Sequence, residues 1–420
     1  MRIIIARCLV LMAFCLPYCS AFGQFRLRGE KPWGQAQFHY FKSPTGGKIY
    51  CRISTKSNTA TIGGYYNGCR FGDSSSTGVW GEKRRQEVKG NVILPERVEV
   101  RYCNELKGED YPEGIFTLAG LDSQAFKNCD DLVSITLPSS VKYIEKNAFK
   151  DCKNLVAINF SSSTNRVDFM FVSGCKRLQA INVDNTTSIG FHSFDGILCK
   201  DGVTYHCPDG YSGTVRIPAN IKGIGQQSFR KCEQISEVIV GNGVGYIEEK
   251  AFENCTLLSN LVIPGNVREI NDCAFQGCSL LSKVSFGEGI RKIRTSAFSD
   301  CISLKEVILP KGLEHLSNEA FKNCISLEHL VIPEGIPSIA TQAFAFCTAL
   351  RQVKLPNSIV YIAENAFMGC SALEKVILGP KVKTIDRYAF FSCTNLTSIN
   401  VPRQTKVYEE TFLECYKLRR

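Results

Sequence analysis

The chain has 420 residues, of which 44% are hydrophobic and 21% charged, and a formal net charge of +10. Its longest early apolar run, Cys8 to Leu16, falls well short of the about 20 residues that a membrane-spanning helix needs, and no later stretch approaches that length. The excess of positive charge is modest for this length, and its densest clusters, Lys83-Arg84-Arg85 and Arg419-Arg420, read as solvated loop and terminus, which removes nucleic acid from the expected partners.

Met1 to Gly23 has a basic start at Arg2 and Arg7, the short apolar run, and small residues in Ala21-Phe22-Gly23. This is the pattern of a secretory signal, and it places the mature chain outside the cell or on its surface with no transmembrane segment after cleavage. From Gln24 to about Gly114, short alternating runs such as Lys48-Ile49-Tyr50-Cys51-Arg52-Ile53 and Thr59-Ala60-Thr61-Ile62 accompany both tryptophans, Trp33 and Trp80. The segment is expected to be a β-rich cap covering the exposed end of the repeats that begin near residue 115. Within it, Val92-Ile93-Leu94-Pro95 matches the first repeat strand, and the extra residues between it and Phe126 are expected to form a loop.

From 115 to 420 one pattern returns every 23 residues: Ala-Phe-x-x-Cys-x-x-Leu-x-x-Val-x-Leu-Pro-x-x-Val-x-x-Ile. Its anchors are Phe126, Phe149, Phe229, Phe252, Phe275, Phe298, Phe321, Phe344, Phe367 and Phe390, with Val172 in the same slot and Phe412 one residue early. A fixed period of this length marks a solenoid, in which each unit buries its apolar face only by stacking on its neighbours. In Leu132-Val133-Ser134-Ile135-Thr136-Leu137-Pro138 the alternation predicts a half-buried strand that proline terminates. The Ala-Phe-x-x-Cys segment reads as a buried helical or 3₁₀ turn.

Between Phe194 and Phe229 the spacing is 35 residues. The excess, about 196 to 207, reads as a hairpin turned at Asp201-Gly202 with Cys199 facing Thr204 and Cys207 facing Gly196, and it is expected to protrude without breaking the stack.

These spacings resemble the BspA-like leucine-rich repeat family over roughly Val92 to Arg420, the hairpin included. The resemblance implies a leucine-rich repeat solenoid of about 13 units with short parallel strands. It also implies a secreted or surface bacterial protein that binds macromolecules, with no catalytic residue and no cofactor.

Twelve of the 21 cysteines recur in the repeat slot, from Cys129 and Cys152 to Cys393 and Cys415. Neighbouring strands lie about 4.8 Å apart, a distance that a disulfide tolerates. In-register side chains nevertheless point in parallel, so the ladder is expected to hold free thiols packed as small apolar groups. A linear row of thiols with no Cys-x-x-Cys pair is also a poor metal site. Among the cysteines off the ladder, Cys51, Cys69 and Cys103 leave one bridge open, with no pairing favoured.

Chemistry-bearing motifs are scarce. His192, Ser193 and Asp195 supply the letters of a hydrolytic triad, but residues so close on one strand do not converge on a substrate atom. No phosphate-binding loop or paired-histidine helix occurs. The outward position of each strand holds Ile239, Val262, Ile308, Val331, Lys354 and Ile377, beside a polar row that includes His329. These seven form the candidate face for a protein ligand, such as an extracellular-matrix or other cell-surface protein, although branched residues there also serve strand propensity alone. The alternative role is a scaffold joining partners through its ends.

Overall fold

In the computed structural model the residues described are 37–54, 57–63, 86–104, 109–184 and 189–418. The expected signal segment, Trp33, Cys69, Trp80 and the clusters Lys83-Arg84-Arg85 and Arg419-Arg420 lie outside them, as does the side chain of Cys103.

The chain coils so that each unit lays one strand beside the equivalent strand of the next. The strands Gly90–Ile93, Leu132–Thr136, Ala157–Phe160 and Ala180–Val183 form a parallel four-stranded sheet. Six more, from Gly213–Ile217 to His329–Val331, form a second sheet, and Gln352–Lys354, Lys375–Ile377 and Ser398–Ile399 a third. The register matches the sequence period: Ile158 pairs with Ile181, and Val238 with Leu261. Val92 pairs with Ile135, so Gly90–Ile93 is the first repeat strand, as expected. Two-residue strands such as Tyr246–Ile247 and Glu269–Ile270 make a second column beside this one.

The first column divides between His329–Val331 and Gln352–Lys354, and the second between His315–Leu316 and Ser338–Ile339. In neighbouring units the residue two places before the second-column Ile or Leu donates its N–H to the preceding unit, as Glu314 does to the Arg291 carbonyl at 2.9 Å and Val360 to that of Pro337 at 2.8 Å. The residue in that register between them is Pro337, which has no N–H to give.

On the side opposite the strands, the Ala-Phe-x-x-Cys segments are chains of single turns instead of helices. Each has a left-handed residue two places before the Phe and another two places after it: Lys250 and Asn254 flank Phe252, and Gln342 and Phe346 flank Phe344. A left-handed residue ends a helical run, so the segments close isolated i to i+3 hydrogen bonds such as Cys255 to Phe252 at 3.2 Å. A 3₁₀ helix is found at Glu409–Phe412.

The rings inside form a stack. Successive pairs from Phe229 to Phe412 lie 4.7 to 5.7 Å apart with planes within 14° of parallel. Offset stacking of this kind adds to the area each ring buries. Val172 pairs with Phe149 and so holds the ring slot in its unit, while Phe171 fills the preceding alanine slot.

The hairpin corrects one expectation. Phe191–Phe194, Ile197–Lys200 and Val203–His206 pair antiparallel, with Asp201 and Gly202 both at positive φ in the turn and Cys199 opposite Thr204. The last of these strands then pairs in parallel with Gly223–Ile224, which makes the hairpin part of the second column. Ile197, Leu198 and Cys199 are fully buried. The insertion is therefore built into the stack and does not protrude, because its two apolar faces each need a core to cover them. A bulge after Leu198 sets that residue opposite His206, which displaces the expected pairing of Cys207 with Gly196.

A second correction concerns the stretch expected to be a loop before Phe126. It forms the strands Arg97–Asn104 and Glu109–Leu121, so position 114 falls inside a strand. Together with Gln37–Lys42, Lys48–Ser54 and Thr59–Ile62 they pair in a closed ring of five strands. Leu121 also pairs with Ile144, which ties this ring to the second column. Closure leaves these strands without an open edge.

Candidate ligand-binding face

Each outward residue is placed by alternation. In Asn260–Ile263, Leu261 and Ile263 are buried, and Val262 between them must face solvent. Ile239, Val262, Ile308 and Val331 are 39%, 61%, 53% and 51% exposed. All four lie on the six-stranded sheet, where Ile239 pairs with Val262 and Ile308 with Val331. Ser285 is next after Val262 in the same row, and Arg216, absent from the candidates read off the sequence, precedes Ile239. The row therefore starts at a cation and continues as apolar side chains interrupted by one hydroxyl.

His329 stands in the adjacent row, exposed and paired with Glu306. Lys354 and Ile377 continue the register but belong to the separate three-stranded sheet, with Lys354 exposed and Ile377 half-buried. The structure thus brings five of the seven candidate residues onto one sheet and leaves two beyond the break between His329–Val331 and Gln352–Lys354.

The four-stranded sheet presents a different surface at the same row. The Asn182 side-chain amide donates to Asn159 Oδ1 at 2.9 Å, and that of Asn159 donates to Thr136 Oγ1 at 3.1 Å. These residues, with Ser139, Ser161 and Asp184, line a shallow groove of about 310 Å³. The carboxylate of Asp184 accepts the Ser162 N–H at 2.6 Å, which holds its carboxyl below the usual range. Ile93, 69% exposed and in register with Thr136, heads this row and is not among the seven candidate residues.

The remaining chemistry is structural. Ser193 Oγ accepts the Val183 N–H at 3.0 Å, Asp195 accepts the Tyr211 hydroxyl, and His192 Nδ1 lies 3.2 Å from the Gly190 carbonyl, so the three triad letters are engaged separately. Every cysteine whose side chain is described is a free thiol. Burial pushes the ladder thiols Cys278 and Cys370 up to about 12, which removes their thiolate and with it nucleophilicity and metal affinity. Among the described residues, no cluster of His, Cys, Asp and Glu is arranged to hold a metal, and no helix is long and apolar enough to cross a membrane.

The family described as BspA type leucine rich repeat region matches over residues 102–208, 209–328 and 314–420. The chain belongs to this family. Among solved structures, this BspA-type chain is similar to a leucine-rich cell surface protein from Faecalibacterium prausnitzii A2-165, with 20% identity, a TM-score of 0.49, and coverage of 88% of this chain and 94% of that one. It is likewise similar to a leucine-rich repeat protein from Bacteroides ovatus ATCC 8483, with 20% identity, a TM-score of 0.46, and coverage of 86% and 97%. The pneumococcal vaccine antigen PcpA matches with 16% identity, a TM-score of 0.49, and coverage of 88% and 98%. A search of curated protein sequences found no match to the chain.

Proposed function

We propose that this BspA-type protein is a non-enzymatic binding protein of the cell exterior, which holds a protein ligand against its strand face. The observation that carries the reading is the row Ile239, Val262, Ile308 and Val331, exposed on the in-register strands of one sheet. Large branched side chains held rigidly on a strand lose little entropy on binding, and their burial removes apolar area from water, which offsets part of the cost of association. His329, Glu306 and Lys283 in the polar row beside them supply the selectivity. The signal-like start and the exported character of the family support the location.

The test is binding of the purified chain from Gln24 onward to arrayed extracellular-matrix and cell-surface proteins, run beside the double variant Ile308→Glu, Val331→Glu. A ligand held by the wild type and lost by the variant supports this face. Binding that ignores both substitutions overturns it.

A further inference from the structure

The hairpin separates two cores. One face carries Phe191 and Leu198 and closes the core that runs back to Phe41, with Tyr205 packed against it. The other carries Ile197, Cys199 and Cys207 and closes the core that runs on to Leu396. Against the hairpin's first face the aromatic rings meet edge to face. Phe191 packs on Phe160 at 6.4 Å and on Tyr205 at 5.4 Å, and Phe169 packs on Tyr205 at 5.7 Å. His206 joins the same cluster, 6.1 Å from Phe169 and 5.8 Å from Phe171. The Tyr205 hydroxyl donates to the Val167 carbonyl at 2.8 Å.

His206 is half-buried, and both its ring nitrogens lie out of reach of solvent without a hydrogen-bond partner. Buried polar atoms are nearly always paired, so this ring stands out among the polar groups of the core. A neutral imidazole here leaves one donor and one acceptor unmet, and an imidazolium leaves two donors and a charge.

We propose that His206 makes the joint between the two cores acid-labile: proton uptake by its ring breaks the packing of the hairpin on Phe169 and Phe171, and the halves of the solenoid separate while each keeps its own core.

The titratable groups around the ring are Tyr205 on its own strand, Cys207 and Asp209 in the adjoining turn, Asp168 beside Phe169, and Cys232 beyond Cys207. Burial pulls the ring's pKa below its ordinary value, and the Asp209 carboxylate opposes that shift without cancelling it. The opened state therefore takes up the proton first. The joint is at full strength above the ordinary value of about 6.5 and weakens as the pH falls below it.

Hydrogen exchange of the full chain, compared at about pH 7 and about pH 5 and corrected for intrinsic rates, tests this. Peptides covering Ile197–His206 and Phe169–Phe171 are expected to exchange at least about tenfold faster at the lower pH, while those from Phe252 to Phe390 keep their protection. His206→Phe, a ring of similar shape without nitrogens, is expected to abolish the acceleration, and His192→Gln, on the hairpin's other face, to retain it. Acceleration that persists in His206→Phe, that vanishes only in His192→Gln, or that spreads evenly along the chain overturns the proposal. Should His206→Phe fail to fold, the imidazole resonances of the wild type decide: a His206 ring that titrates at or above the ordinary value overturns it, and one that titrates below supports it.

Discussion

The thiol of Cys301 donates to the backbone carbonyl of Phe275, one unit back, at 3.3 Å. That carbonyl also accepts the N–H of Cys278 from its own turn, so both of its lone pairs are used inside the core. The same bond links Cys152 to Phe126 at 2.9 Å, Cys324 to Phe298 at 3.3 Å and Cys393 to Phe367 at 3.2 Å. Cysteine is favoured in this slot because it is small enough to lie beside the rings and still has a proton to give.

Cys301→Ala removes that donor and is expected to lower stability by about 1 kcal/mol, with Cys301→Ser, which can donate, losing less. Denaturant midpoints of the two variants check the order. In the native chain a thiol reagent is expected to label Cys415 first, since it is half-buried and its interaction with Cys393 lowers its pKa. Half-buried Cys273, whose pKa burial raises, comes second, and the fully buried ladder reacts only on unfolding.

Phe298 lies between Phe275 at 5.1 Å and Phe321 at 5.3 Å, with Phe286 edge-on at 5.5 Å. Phe298→Ala opens a hole shared by three units and should cost about 3 to 5 kcal/mol. Lys354→Ala, on the exposed row, should stay within about 0.5 kcal/mol. Thermal melts of the pair measure the contrast, and an unchanged Phe298→Ala would show that the ring stack is not a source of stability.

The turn glycines carry a sharper expectation. Gly277 has φ of 72°, and a Cβ added there would stand 2.3 Å from Asn254 Oδ1 of the preceding unit. Gly277→Ala meets both the left-handed strain of about 1 to 2 kcal/mol and that side chain. Adding Asn254→Gly removes the collision but not the strain, so the double variant should recover part of the loss, which a chemical melt can resolve.

Much of this architecture is legible in the sequence because the period is itself the physics. A residue type that returns every 23 positions must occupy the same environment each time, and alternation alone makes Ile239 and Val262 outward neighbours. The hairpin is harder to place. Leu198 and Cys199 look like the two sides of an isolated ribbon, and nothing local says that each side meets a different core. The strands at Arg97–Asn104 and Glu109–Leu121 read as a loop because their partners, such as Thr59–Ile62, lie far away in the sequence. One signal does betray the turns: Asn128, Asp151, Gly174, Asn254, Gly277 and Asn323 all stand two places after the ring slot, and Asn, Asp and Gly tolerate left-handed backbone. With that row in view, the Ala-Phe-x-x-Cys segment is a turn and not a helix.

Asp184, at the end of the polar groove, gives a dependence on pH with a definite sign. Its carboxylate accepts the Ser162 N–H, and that bond holds its pKa below the usual value of about 4. A carboxyl depressed by folding stabilises the native state above its unfolded pKa, and the contribution fades as the pH falls through the folded one. Because the group is largely exposed, the effect should not exceed about 1 kcal/mol. Asp184→Asn is expected to be slightly less stable than the wild type near neutrality and to converge with it as the pH falls through the folded carboxyl's pKa. A gap that persists unchanged into acid would assign the difference to packing of the side chain instead of its charge.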